Sequence, residues 1–443
     1  SGRPIVFIGA QVHGDEPAGK EGLLLLARDL VQGHLNPLLD DVIFLFVPQL
    51  NPDGAEAGTW GTRNNAAGYN LNRDYLRLDN PESRAIVQEV LVPWRPHVVV
   101  DAHELGGPPR VYDFYTWFPT NPHGPRATVD LAGSLLAPAV VEALESAGHS
   151  HIIYHTPGGL TQLVENPELG IHVPVYGRTL NDYAASQGLA TLLFESLRAG
   201  DARLRIADRA ERQRLSMEAL ARAVASDARG VVDAVAEARR EMAERGGRWE
   251  DADLIAPLRE PVPTRTVAYR VAEREPTETG WRYTGGTVVV ETPLYDSARV
   301  TLARTRPVAY LIEAHRGDLV RQLLDHGLHV EEVLREGEWR VESFRVDSLE
   351  LADEVYEGYV PQRFGTTPEP RTLAVPAGSW LVRAGQPGDA LLFHLMEPED
   401  ENSFAITGEF LTTARPGQFL PVHRVRAIPP VPVRRALVPT PGT

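Results

Sequence analysis

Over the first 245 residues, short apolar runs alternate with longer stretches in which apolar residues recur at helical spacing. The short runs predict strands at Pro4–Ile8, Val42–Val47, His97–Asp101, His151–Tyr154 and Ala190–Phe194. Helices are expected between them at Pro17–Gln32, Pro81–Val92 and Ala127–Ala147, followed by one long helix from about Asp201 to Arg245. Pro17 and Pro81 suit a first helical turn, where the missing N–H has no partner to lose. This alternation predicts an α/β layer fold, a mainly parallel mixed sheet with helices on both faces.

The pattern changes near Gly246. Short β-type runs follow at Thr266–Val271, Gly286–Glu291, Arg299–Leu302, Val308–Ile312 and Ser379–Arg383, with one helix expected at Gly317–His326. The chain therefore divides into residues 1–245 and a β-rich C-terminal region, 246–443, whose tail from Ile428 is proline-rich and expected to be extended or loosely attached.

Composition narrows the function classes. The net charge of −16 disfavours binding to a phosphate backbone, so nucleic acid is not an expected partner. The absence of cysteine removes disulfides, thiolate ligands and thiol nucleophiles together. Continuous apolar runs fall far short of the roughly 20 residues of a membrane span. Lys20 is the only lysine, and the arginine bias reads as codon usage of a GC-rich genome. The chain opens at Ser1 without a methionine or a visible signal peptide and enters a strand almost at once, from which we expect that upstream sequence has been lost. Nothing in the composition indicates an oligomeric state.

Candidate chemistry begins at His13-Gly14-Asp15-Glu16, between the first strand and the first helix. A His and a Glu three residues apart can offer one nitrogen and one carboxylate to a zinc ion. The spacing alone is weak, since His315/Asp318, His329/Glu332 and His394/Glu397 share it, and a solvated pair at a helix entry is the plain alternative. Position strengthens it, because open α/β sheets place their sites where strands end and helices begin. His103, after the Val98-Val99-Val100 run, would project at the same edge, with Asp101 available to orient its imidazole. Three ligands with one open position describe a catalytic zinc site.

Asn51-Pro52-Asp53-Gly54 is a turn signal, and Arg63, Asn72 and Arg73 supply carboxylate-binding groups; each also has an ordinary reading as turn or surface pair. Glu195 directly follows an apolar strand, which is costly for a carboxylate unless it is paired, for instance with Arg198, or used as a general base.

His-x-x-Glu, Asn-Pro-Asp-Gly, a lone Arg, Asn-Arg, Asp-x-His and Phe-Glu follow one another in the order of the zinc carboxypeptidases. Over about residues 4–200 the chain resembles the carboxypeptidase A-like metallopeptidase family. The resemblance implies a zinc exopeptidase-type fold and one zinc ion per chain, bound by His13, Glu16 and His103. It further implies that Glu195 activates a zinc-bound water, that Arg63 polarises the scissile carbonyl, and that Asn72 and Arg73 grip the terminal carboxylate of a peptide or protein substrate. An ungapped count back from Glu195 puts Val173 at the family's mobile tyrosine, with Tyr176 nearby as substitute, and Leu180 at the specificity pocket. Arg178 beside it is either a second anion anchor or a loop arginine. The expected protein is a secreted or periplasmic metallocarboxypeptidase, with an N-acyl amino acid deacylase or a catalytically idle peptide-binding protein on the same scaffold as alternatives. Parts of the C-terminal half, such as Val308–Ile312 and His394–Pro398, resemble segments that follow the catalytic domain in bacterial members.

Overall fold

A computed structural model describes residues 2–58, 61–120, 124–156, 159–174, 178–198, 205–410 and 415–437. The apolar runs of the first half form β1 (Ile5–Ala10), β2 (Ile43–Val47), β3 (Val98–Gly106), β4 (Phe114–Trp117) and β5 (His151–Ile153). A short β6 (Ile171–His172) and then β7 (Ala190–Arg198) follow. Six of these strands make one sheet in the order β2-β1-β3-β7-β4-β5, parallel at every pairing except β4–β7.

Alternation along the central strands sends side chains to two faces. Val6, Ile8, Val98 and Val100 pack against Leu23, Leu26, Leu136, Val140, Met217 and Leu220 of the helices on one face. That layer includes Arg126–Ser146, long and apolar enough by composition to cross a membrane, which here buries Leu136, Val140 and Leu144 in the sheet core. On the other face Phe7 and Val99 belong to a cluster with Ile86, Val87, Leu180 and Tyr183, and the same cluster runs on into Tyr310, Ile312, Leu319, Leu323 and Phe393. The boundary expected at residue 245 is thus bridged by a shared core.

The C-terminal half contains β8 (Leu254–Val262), β9 (Arg265–Thr277), β10 (Gly280–Tyr295), β11 (Ser297–Thr305), β12 (Ala309–Ile312) and β13 (Glu331–Val333). It continues with β14 (Gly337–Leu351), β15 (Gln362–Val375), β16 (Trp380–Arg383), β17 (Phe419–Val425) and β18 (Val433–Arg435). Seven of these build a second sheet, ordered β15-β14-β17-β12-β16-β13-β18. The proline-rich tail is anchored there, because β18 pairs with β13.

Three differences from the sequence pattern have clear causes. The expected long helix is two, Ile206–Ser226 and Ala228–Gly246: Asp227 leaves helical geometry (φ −137°) and caps the second by accepting from Gly230 N at 3.0 Å. Strands β3 and β7 run well past their apolar runs, since they remain paired to each other through Gly106 and Arg198. The long β14–β15 hairpin escaped notice because much of it faces solvent and carries charged residues.

Candidate active site

The site lies at the C-terminal edge of the parallel strands. Beyond β1 the chain turns through residues 11–16 before the helix Ala18–Gln32. The Asn-Pro-Asp-Gly segment sets that turn. Asn51 caps its own helical turn by accepting from Gly54 N at 2.8 Å, and its Nδ2 donates to Val12 O at 3.2 Å and Arg63 O at 3.4 Å. Gly14 lies directly against this segment; a Cβ there would sit 2.1 Å from the Gly54 carbonyl carbon. The motif therefore joins the segment carrying His13 and Glu16 to the segment carrying Arg63.

His103 arrives from β3, with its carbonyl held by Gln213 Nε2 at 2.8 Å. Its Nδ1 is 2.9 Å from Glu16 Oε2 and 3.2 Å from His13 Nδ1, and His13 Nδ1 is 2.9 Å from Glu16 Oε1. Among the described residues this is the one group of three or more His, Asp or Glu side chains that could hold a metal ion, and all three are buried. Tetrahedral zinc with bonds of 2.0–2.1 Å places its ligand atoms about 3.3 Å apart, so the spacing fits. The facing Nδ1 atoms supply the chemical reason, because two imidazole lone pairs at that distance repel unless a proton or a cation lies between them. Outer neighbours orient both rings: His13 Nε2 is 3.1 Å from Asn70 Oδ1, and His103 Nε2 is 3.0 Å from Asp101 Oδ2. A His103 Nε2–H facing Asp101 leaves Nδ1 free to ligate. Burial alone would raise Glu16, but the two neighbouring imidazoles hold its carboxyl well below the usual range.

Glu195 pairs in register with His103 across β3 and β7. It is 5% exposed, and its Oε2 has no hydrogen-bond partner among the described residues. Burial pushes its carboxyl up to about 8 against the opposing pull of His103 and Arg110; a divalent cation in the triad would draw it down again. The alternative partner foreseen for it is engaged elsewhere: Arg198 Nη2 reaches Asp15 Oδ2 at 3.2 Å.

These residues open onto a cleft of about 1090 Å³ lined by Arg63, Asn72, Arg73, Arg110, Tyr154 and Asp182 among others. Arg63 Nη1 donates to Glu16 Oε1 at 3.1 Å and remains half exposed. Arg73 donates from Nε to Tyr356 Oη at 3.1 Å and from Nη1 to Asn72 O at 2.7 Å. Asn72 is more occupied than the sequence suggests. Its Oδ1 accepts from Leu180 N at 3.0 Å, which fixes the carboxamide to the start of the helix Leu180–Ser186 and places its Nδ2 3.0 Å from His103 Nε2.

Leu180 is not a cleft residue. It is fully buried in the shared core, and the cleft receives Thr179 and Asp182 from the same helix start. The ungapped count that selected it fixes a distance along the chain and not the direction a helix presents. Tyr176 lies outside the described residues. Arg178 lines the cleft and is tied to the C-terminal half, its Nη2 donating to Glu401 O at 2.6 Å. The other histidines of the His-x-x-acid pairs stand apart: His394 is buried against Asp400 at 2.8 Å, and His315 is exposed near Glu313.

Sequence reasoning missed Tyr154, Arg110 and the contribution of the C-terminal half. Tyr154 sits at the end of an expected strand, where strand-end position could have raised it. Arg110 Nε is buried without a partner among the described residues, a signal visible only in three dimensions.

The zinc carboxypeptidase family model matches residues 1–91. Carboxypeptidase 2 of Trichophyton rubrum is 29% identical over 442 residues, covering 95% of this chain and 76% of the fungal protein. Carboxypeptidase E of Caenorhabditis elegans is 38% identical over 93 residues, 18% of this chain and 20% of that protein. A metallo-carboxypeptidase structure from Burkholderia cenocepacia aligns with a TM-score of 0.38 at 21% identity, over 51% of this chain and 58% of that one. The family match at the ligand-bearing end and the similarity to a carboxypeptidase along nearly the whole length make the zinc carboxypeptidases the proteins this chain is similar to.

Proposed function

We propose that the chain removes C-terminal residues from peptides by hydrolysis, with one zinc ion per chain held by His13, Glu16 and His103 and with Glu195 as general base. When bound, zinc supplies a Lewis acid that polarises the scissile carbonyl and acidifies water. The protein's own groups do the rest. Glu195 takes a proton from the attacking water and returns it to the leaving amine, which needs a carboxylate whose proton affinity lies near neutrality. Arg63, already aligned by Glu16, offers its remaining donors to the oxygen that becomes negative in the tetrahedral intermediate. Arg73 orients the substrate through its terminal carboxylate, and Asp101 keeps the His103 ring in its ligating tautomer.

The observation that carries this reading is the buried, unpartnered Glu195 Oε2 beside His103. Leaving a carboxylate oxygen in that state costs free energy that only a bound water, metal or substrate recovers. Glu195→Gln keeps the shape and removes the base. The expected result is a kcat lower by about 10²–10⁴-fold with zinc content unchanged. Turnover within a few-fold of the parent would place the base elsewhere.

A further inference from the structure

One wall of the cleft comes from the C-terminal half. Where β14 turns into β15, a hairpin tip at residues 352–361 rests on the catalytic sheet edge. Tyr356 and Tyr359 close it through paired backbone bonds of 2.7 and 3.1 Å, with Glu357 at φ +45° between them. The tip is fastened to residues that matter for the site. Glu357 Oε2 accepts from Asn70 N at 3.0 Å, and Asn70 is the residue that holds His13 Nε2. Arg77 donates to Glu357 O at 3.3 Å and covers the Tyr359 ring at 4.7 Å, while Arg178 Nη1 reaches Tyr359 Oη at 3.4 Å. Tyr356 lines the cleft itself, and its hydroxyl accepts from Arg73 Nε.

Three consequences follow from Tyr356. Its hydroxyl and the Asn72 carbonyl hold two corners of the Arg73 guanidinium, so the plane of the fork is fixed before substrate arrives. A phenol that accepts from arginine still has its own proton to donate to an incoming carboxylate. The ring, with the Arg178 guanidinium 5.5 Å from its centroid, lines the cleft together with the apolar side chains of Pro361, Phe364 and Ile406.

We propose that Tyr356 is a substrate-positioning and specificity-determining residue, holding Arg73 and the terminal carboxylate through its hydroxyl and selecting bulky apolar C-terminal side chains through its ring. This rests on the carboxypeptidase reading above. The test compares the zinc-loaded parent, Tyr356→Phe and Tyr356→Ala on N-blocked dipeptides ending in Phe, Leu, Ala or Arg, with kcat and KM resolved separately. Binding of N-acetyl-L-phenylalanine is measured by calorimetry on the same three proteins. Tyr356→Phe is expected to raise KM about 3–10-fold on every dipeptide, the scale of one hydrogen bond, with the loss in kcat/KM falling chiefly on KM. Tyr356→Ala is expected in addition to lose about tenfold of the parent's preference for Phe and Leu over Ala. Unchanged KM in Tyr356→Phe together with unchanged selectivity in Tyr356→Ala overturns the proposal. A parent that cleaves none of the dipeptides defeats the peptidase reading instead, and calorimetry still decides Tyr356: weaker binding in both variants supports it, and equal binding overturns it.

Discussion

His103 shows how much of the site rests on single atoms. Its Nδ1 faces His13 and Glu16 while its Nε2 faces Asp101, whose carboxylate is fully buried. Replacing Asp101 by Asn keeps the volume and removes the charge that favours the ligating tautomer. Loss of such an outer partner typically costs about 10–100-fold in metal affinity, so Asp101→Asn is expected to bind zinc that much more weakly in a competition titration, and His103→Ala to lose zinc from the purified protein. Equal zinc affinity in parent and Asp101→Asn would show that Asp101 does not orient the ring. At this scale residue type and order were enough to select side chains that meet in the fold, as His13, Glu16 and His103 do with Glu195 beside them. It was misleading for Leu180 and incomplete for Asn72, because what a side chain touches depends on helix direction and on neighbours distant in sequence.

Among the elements, the Asn51–Gly54 turn and the ligand segment at Gly14 are pressed together without room for a Cβ on either glycine. Gly14→Ala must move backbone, since the nearest atoms are main-chain atoms of Gly54 and Ala55. Overpacking of this kind typically costs about 1–3 kcal/mol, and here the displaced backbone also carries His13 and Glu16. The expected outcome is a lower Tm together with weaker zinc binding. A conservative change on the far side of the sheet, such as Leu220→Met, should lower Tm only slightly and leave zinc affinity as it is. A Gly14→Ala protein with parental zinc affinity would mean that the turn does not set ligand geometry. The turn was legible from its residues, but its purpose was not, because Asn51 acts on Val12 and Arg63 through bonds that no spacing rule reveals.

Across the whole molecule, the two halves are joined by buried neutral histidines. His326 Nε2–H donates to Leu76 O at 3.0 Å while its Nδ1 accepts from Tyr183 Oη at 3.2 Å. His155 Nε2 accepts from Tyr269 Oη at 2.9 Å. Burial pushes both imidazoles down to about 4, against about 6.5 in an unfolded chain. Above about pH 6.5 neither state binds the proton and stability is at its full value. As pH falls toward 4 the unfolded chain gains protons that the folded one refuses, and each histidine withdraws stability up to about 3 kcal/mol. Glu195, Asp182 and Asp389, whose carboxyls burial raises, act in the opposite sense as pH falls, so the test is the difference between the parent and a His155→Gln/His326→Gln double variant that keeps them. In denaturant unfolding between pH 7.5 and 4.5 the double variant should start lower and the gap should narrow below about pH 6.5; a gap that stays constant across this range would contradict the assignment. The α/β layer was readable because buried parallel strands must be apolar runs. The joint between halves was not, because the C-terminal half supplies a core face and a cleft wall through scattered residues such as Tyr310, Phe364 and Tyr356.

The central claim is that this cleft recognises a free C-terminal carboxylate and releases one residue at a time. Mass spectrometry of matched peptides, one set ending in a free carboxylate and the other amidated, tests it most directly. The zinc-loaded protein is expected to shorten the free peptides stepwise from the C-terminus and to leave the amidated ones nearly untouched, with Arg73→Ala lowering kcat/KM strongly on the free set while keeping its zinc. Truncating one partner of a desolvated charge pair typically costs about 2–5 kcal/mol, which sets the scale of that loss. Equal cleavage of both sets, or release of internal fragments, would contradict the account.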